Sequence, residues 1–423
     1  MKYVIIIIIF ILIDIPVIFP QQKTDSIIKK LEYRIESLEV ELQERKNEDN
    51  LQDLLNEANQ LIAQEKEEEA GISKKFFSGA RQQQGLNPNI SVLGDFFGAV
   101  STSDNNLVTE ESEFSWGNNG MFMRGLEMTF ESALDPYARG KVIMHLHQNE
   151  LEVEEAYMEI LNLPFNLKLK TGIFYAEYGL LNRYHTHALP QFDRPRVATN
   201  YFGNEGFGGI GISGNFLLPG LLFANASSLD ISVTKGGNDF SFTTQRKLSL
   251  LYTTHIKNYY DLSDNSFIEY TISGVAGRND TSAYTNSVVG NLGIRYKWIP
   301  QGRSKYRTLE WNNEFYYGIS ETPGKNIQSK GFYTSIQNKL NARFWVSGRI
   351  GYSQLPYDNR QYEWDYTVCL DYWQSEFVVF RLQYQYNQRN IDNMLNRLGD
   401  YPGDHSLLLE VSWAMGPHKH EAY

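Results

Sequence analysis

Cysteine is nearly absent: the 423 residues hold one, Cys369. That excludes an intramolecular disulfide framework and any CxxC metal or redox site. Positive charge is also in deficit, with a formal net charge of −11. A nucleic-acid partner is therefore not expected, because such binding rests on Lys and Arg neutralising phosphates. Past the N-terminus no long apolar run occurs, and the mean hydropathy is −0.42. A bundle of membrane-spanning helices is thus excluded. No Ser accompanies His255 or His405 in a recognisable motif, so no enzyme and no cofactor are expected. Aromatics are abundant instead, at 27 Tyr, 24 Phe and 7 Trp.

The chain changes character three times. Residues 1–22 carry Lys2 followed by YVIIIIIFILIDIPVIF, the basic-then-apolar layout of a signal peptide. Residues 23–70 show a helical period. Ile28, Leu31, Ile35, Leu38 and Leu42 step by 3 and 4, which predicts a coiled coil. Residues 71–88, with Gly79, Gly85 and Pro88, read as a linker.

From residue 89 to 423 the period becomes 2. Between Tyr362 and Tyr372, Tyr, Trp, Val and Leu fill even positions, and Glu363, Asp365, Thr367, Cys369 and Asp371 fill odd ones. One face suits hydrocarbon and the other water. Such ten-residue segments, separated by turn residues and edged by Trp and Tyr, mark a transmembrane β-barrel. Closure follows, since lipid offers no partner to an open sheet edge. The expected fold is all-β: an antiparallel barrel of about 16 strands, centred from near residue 94 to near residue 410, preceded by an N-terminal α-helical coiled coil. Short connections are expected at Asp135-Pro136, 163–166, 341–342 and 373–376, with modest ones near Pro219, Tyr260 and Gly302. Long ones are expected at 99–119, 176–205, 235–245, 277–286, 320–329 and 389–403. Gln148–Asn149 is short where a long one belongs. Sixteen strands leave an aqueous channel.

Residues 176–205 form the longest aperiodic stretch, and loops of that length in a compact domain are usually functional. Leu180, Leu181, Leu189, Phe192, Tyr201 and Phe202 give it apolar anchors. Folded into the lumen, it would present Arg183, Tyr184, Asp193, Arg194 and Arg196 to a passing solute. Guanidinium charge at a constriction favours anions. Inward strand positions carry both signs, among them Arg295, Arg349 and Arg381 with Glu155, Glu314 and Asp371, which predicts weak net selectivity. Histidines suggest a metal: His145 and His147 on one strand face, His185 and His187 in the loop, and His418 and His420 in the tail. Two nitrogens are too few to close a site, so ligands must come from several elements.

LNPNISVLGDFFG at 86–98, GLLNRYHTHALPQFDRP at 179–195, YFGNEGFGGIG at 201–211 and the terminal MGPHKHEAY carry a family resemblance. The chain resembles Gram-negative outer-membrane porins of the phosphate-selective porin O/P type, nearest a branch labelled zinc-regulated outer-membrane protein. The resemblance implies a sixteen-stranded barrel among outer-membrane lipids, often trimeric, passing small hydrophilic solutes or anions. It implies that the coiled coil lies in the periplasm and assists the homotrimer. The zinc label implies regulation by, or passage of, metal, and a zinc-related channel is one alternative. A cell-wall tether with the barrel as anchor is the other. Tyr423 supplies the usual terminal aromatic, but Pro417, Lys419 and Glu421 break the alternation before it.

Overall fold

A computed structural model describes residues 88–423 apart from 103–118, 147–150, 238–239, 244–248, 281–283, 304–305, 391–402 and 417–423. The signal-peptide, coiled-coil and linker readings, His147, and the tail histidines His418 and His420 lie outside the described residues.

The strands are β1 (Asn89–Ser101), β2 (Gly120–Asp135), β3 (Ala138–Leu146), β4 (Leu151–Leu163), β5 (Leu167–Tyr175), β6 (Gly208–Leu218), β7 (Ala226–Lys235) and β8 (Leu250–Ser263). They continue as β9 (Ser266–Arg278), β10 (Asn286–Trp298), β11 (Thr308–Thr322), β12 (Lys325–Lys339), β13 (Phe344–Leu355), β14 (Asp358–Trp373), β15 (Val378–Asn390) and β16 (Gly403–Met415). Each pairs with the next, and β16 pairs antiparallel with β1, so the barrel closes. Every strand centre read from the alternation falls inside one of these elements.

Burial is inverted relative to a water-soluble protein. On β14, Val368 is 50% exposed and Leu370 40%, while Cys369 and Asp371 are 1% and 3%. The same holds on β16, where Leu407 and Leu409 face out and Ser406 and Glu410 are buried. A ring of outward Leu, Val, Ile, Tyr and Trp would be untenable in water and is what hydrocarbon requires. Among the described residues no helix is long and apolar enough to cross a membrane.

Two expected connections need correction. The stretch 320–329 is no long loop, because β11 and β12 run on to a tight turn at Pro323-Gly324. The exposed positions at the start of β12 are Asn326, Gln328 and Lys330, so no apolar–polar alternation marks the strand there. The turn expected near Tyr260 lies at Asp264-Asn265, since β8 extends through Ser263. The connection between the strands centred near 348 and 367, given no position from the sequence, is a tight turn at Pro356-Tyr357.

Two of the barrel's bulges set the wall around the loop. On β2, Asp95 pairs Gly125 but Phe96 pairs Met123, which leaves Arg124 as the extra residue. On β4, Ile143 pairs Glu155 but Met144 pairs Val153, which leaves Glu154 extra. A bulge re-aims a side chain and restarts the inward–outward alternation. Adjacent Glu154 and Glu155 consequently both reach into the lumen, as their contacts below show.

Candidate functional site in the barrel lumen

Residues 176–207 leave β5, carry helix α1 (Arg196–Phe202) and return to β6. Their base is pinned by Asn182. Its Nδ2 donates to the carbonyls of Ala176 and Phe207 at 2.8 Å each, and its Oδ1 accepts from Phe207 N–H at 2.9 Å. Arg194 closes the loop on itself. It donates to the carbonyls of Leu181 (2.8 Å), Asn204 (3.1 Å), Glu205 (2.8 Å) and Tyr184.

One side of the loop is apolar. Tyr178, Leu180, Leu181, Val197, Tyr201 and Phe202 pack on Val275, Val289, Tyr316 and Tyr333, which point inward from β9 to β12. Tyr201 Oη donates to Ser329 Oγ at 2.8 Å, so the phenol is satisfied although buried. Further along, Phe192 packs with Phe97, Ala99 and Leu408 from β1 and β16. The Arg124 guanidinium lies 4.1 Å from the centroid of the Phe192 ring.

Two polar anchors complete the seat. Asp193 is held by Arg349 of β13, whose Nη2 lies 3.1 Å from both carboxylate oxygens. Gln383 and Gln385 of β15 each donate to the same carboxylate at 3.1 Å. Burial pushes the Asp193 carboxyl up, but Arg349 and Arg196 outweigh that and hold it below the usual range. On the other anchor, His185 Nδ1 lies 2.7 Å from Glu154 Oε2, and its Nε2 lies 3.3 Å from Glu155 Oε2. His187 Nδ1 is 2.9 Å from Glu127 Oε2. His145 Nδ1 is 3.2 Å from Glu154 Oε1. Burial disfavours the His185 imidazolium, yet the bonds to Glu154 and Glu155 raise its pKa to about 10.

The residues picked out in the sequence are thus distributed unevenly. Arg194 and Arg196 are buried. The first is spent on the loop's own carbonyls, and Arg196 Nε lies 3.8 Å from Glu363. Neither turns a guanidinium to a solute as the sequence suggested: Arg194 serves loop carbonyls that lack a sheet partner and need donors, and Arg196 lies against a wall carboxylate. Arg183 keeps 31% of its side chain exposed while paired with Glu177 at 2.8 Å. That pairing, against the cost of burial, lowers the Glu177 pKa to about 2. Tyr184 sits under Arg295, whose Nη2 is 3.4 Å from its hydroxyl. His185 meets Glu154 and Glu155, and His187 meets Glu127. Glu127 and Glu154 were missed. The apolar alternation slips by one between Met123 and Leu126, and again between Val153 and Ala156, and those slips were the available signal.

A closed sixteen-stranded transmembrane barrel with an infolded loop defines the architectural class. The comparisons place it: this is a porin fold. A porin from Pseudomonas putida, OprB, superposes with a TM-score of 0.54 at 8% identity, covering 82% of this chain and 97% of its own. An anion-selective porin from Comamonas acidovorans gives 0.52 at 8% identity, covering 78% and 99%. No family model and no curated protein sequence matches the chain.

Proposed function

We propose that this chain is an outer-membrane diffusion porin for small hydrophilic solutes and ions, with residues 176–207 forming its constriction. The observation that carries the reading is the span of the loop. It is bonded to β4 through His185 and to β13 and β15 through Asp193, within one closed barrel. A segment fixed to such widely separated strands crosses the lumen and sets its free section. Charged groups at a constriction decide which ions pass. With Arg194 and Arg196 engaged elsewhere, Arg183, Glu177, Lys141 and Lys170 line the wetter part, and their mixed signs fit weak selectivity. The phosphate preference of the resembling families is not part of this reading. Homotrimer assembly, assisted by the N-terminal helix in the periplasm, fits the same reading.

The experiment is single-channel recording of the refolded full chain in planar bilayers, with reversal potential in a KCl gradient. Stepwise conductance with modest ion preference, in groups of three for a trimer, supports the porin. A correctly folded barrel without conductance would overturn it and leave the anchoring role.

A further inference from the structure

The lumen holds a cluster that solute passage does not require. Glu127, Glu154 and His185 each offer a ligand atom, and these atoms lie within 4.8 Å of one another. They come from β2, from the bulge of β4 and from the loop. Glu155, His145 and His187 surround them. All six side chains are between 8% and 15% exposed.

Three features make this more than a group of adjacent charges. First, the backbone is built for it. Without the bulge, Glu154 and Glu155 would lie on opposite faces of β4. Gly125, opposite, leaves space: a Cβ there would stand 2.5 Å from His145 Nε2. Second, each carboxylate ligand is oriented by a further histidine, Glu127 by His187 and Glu154 by His145. Partners that hold the ligands in place are the usual companions of a metal centre. Third, three buried carboxylates demand compensating positive charge. Lys141, 3.7 Å from Glu155, brings one permanent cation into contact with the group. The rest must be supplied by protons on the histidines or by a bound cation.

We propose that Glu127, Glu154 and His185 form a binding site for a divalent first-row transition ion such as Zn²⁺. Mixed imidazole and carboxylate donors suit such ions rather than Ca²⁺ or Mg²⁺. An ion about 2.1 Å from each ligand atom spans pairs up to about 4.2 Å apart. The cluster needs to contract by about 0.6 Å at most, and water completes the coordination. Binding displaces the His185 proton, so affinity rises with pH. Since the site ties the base of the loop to β2 and β4, an ion there also fixes the loop. The site goes beyond the porin reading and does not depend on it.

The test uses full-length protein refolded in detergent, with Co²⁺ as a spectroscopic probe and Zn²⁺ as competitor. The background is His418→Ala/His420→Ala, which removes the tail as an alternative binder. One Co²⁺ per chain with visible d–d bands, displaced by Zn²⁺, is expected. Glu154→Gln and His185→Ala should each weaken binding at least about 100-fold, and His187→Ala about 10–100-fold, as for loss of an orienting partner. His405→Ala, remote from the cluster, should change nothing. Heat-modifiable migration confirms that each variant is folded, and the isosteric Glu154→Gln carries the test if His185→Ala does not fold. Undiminished binding in folded Glu154→Gln, or no Co²⁺ binding at millimolar concentration in the background protein, overturns the site.

Discussion

Arg349 holds Asp193 from the far wall of the barrel. Its Nη2 reaches both carboxylate oxygens at 3.1 Å, its Nη1 donates to the Asp193 carbonyl at 2.8 Å, and its Nε donates to Asp365 at 2.8 Å. One guanidinium thus joins a strand carboxylate, a loop carboxylate and the loop backbone. The arrangement uses the planar fork of arginine and would not survive replacement by lysine.

Arg349→Ala leaves Asp193 and Asp365 buried without their cation. Breaking a buried pair from one side costs about 3–5 kcal/mol. Gln383 and Gln385 soften the loss at Asp193 but not at Asp365. The expected result is a larger and noisier single-channel conductance and a lower temperature for loss of the compact band on gels. Unchanged conductance in a folded variant would show that this anchor does not position the constriction.

Acid should release the same anchor. The folded Asp193 carboxyl titrates below its unfolded value, which is about 3.9. Its stabilising contribution is therefore complete above that value and is lost as pH falls through the lower folded one. Conductance is expected to stay constant down to about pH 4 and to rise or flicker below it. Asp193→Asn should remove that transition and resemble the acid state at neutral pH. A transition that persists in Asp193→Asn would place it elsewhere.

Arg194 and Arg183 should separate structure from selectivity. Arg194 donates to four loop carbonyls, and each one left unpaired costs about 1–3 kcal/mol. Arg194→Lys is expected to make residues 176–207 a protease target while leaving the reversal potential nearly unchanged. Arg183→Gln should do the reverse. The loop stays protected, and the anion-to-cation permeability ratio falls on the order of twofold in 0.1 M salt, where charges act over about 10 Å.

The barrel was legible because hydrocarbon on one side and polar side chains on the other impose a period of 2 on every strand. Tyr362 to Tyr372 shows it without any structure. Legibility failed where that constraint ends. The start of β12 exposes Asn326, Gln328 and Lys330 rather than apolar side chains, so 320–329 looked like a loop. Within residues 176–205 the composition announced a seated loop, but not which arginines would be consumed by its own carbonyls. A non-repeating backbone distributes its hydrogen bonds according to tertiary contacts, and no spacing encodes them. The histidines stood out, whereas their carboxylates lay behind two bulges that shift the register by one residue.

The seat of α1 offers the last test. The helix lies against β12 and β13 through Val197, and Gly331 on β12 gives it room. A Cβ on Gly331 would stand 2.4 Å from Val197 Cγ2 and 2.8 Å from the Tyr352 carbonyl oxygen. Val197 is β-branched and fully buried, so it cannot rotate away at low cost. Gly331→Ala should therefore lift the helix and strain the wall, a cost of about 1–3 kcal/mol for overpacking. Val197→Ala should relieve it, so the double variant Gly331→Ala/Val197→Ala is expected to be more stable than Gly331→Ala alone. Heat-modifiable migration measures the stability and single-channel conductance measures the displacement. If the two substitutions simply add, the contact between α1 and Gly331 is not what seats the loop.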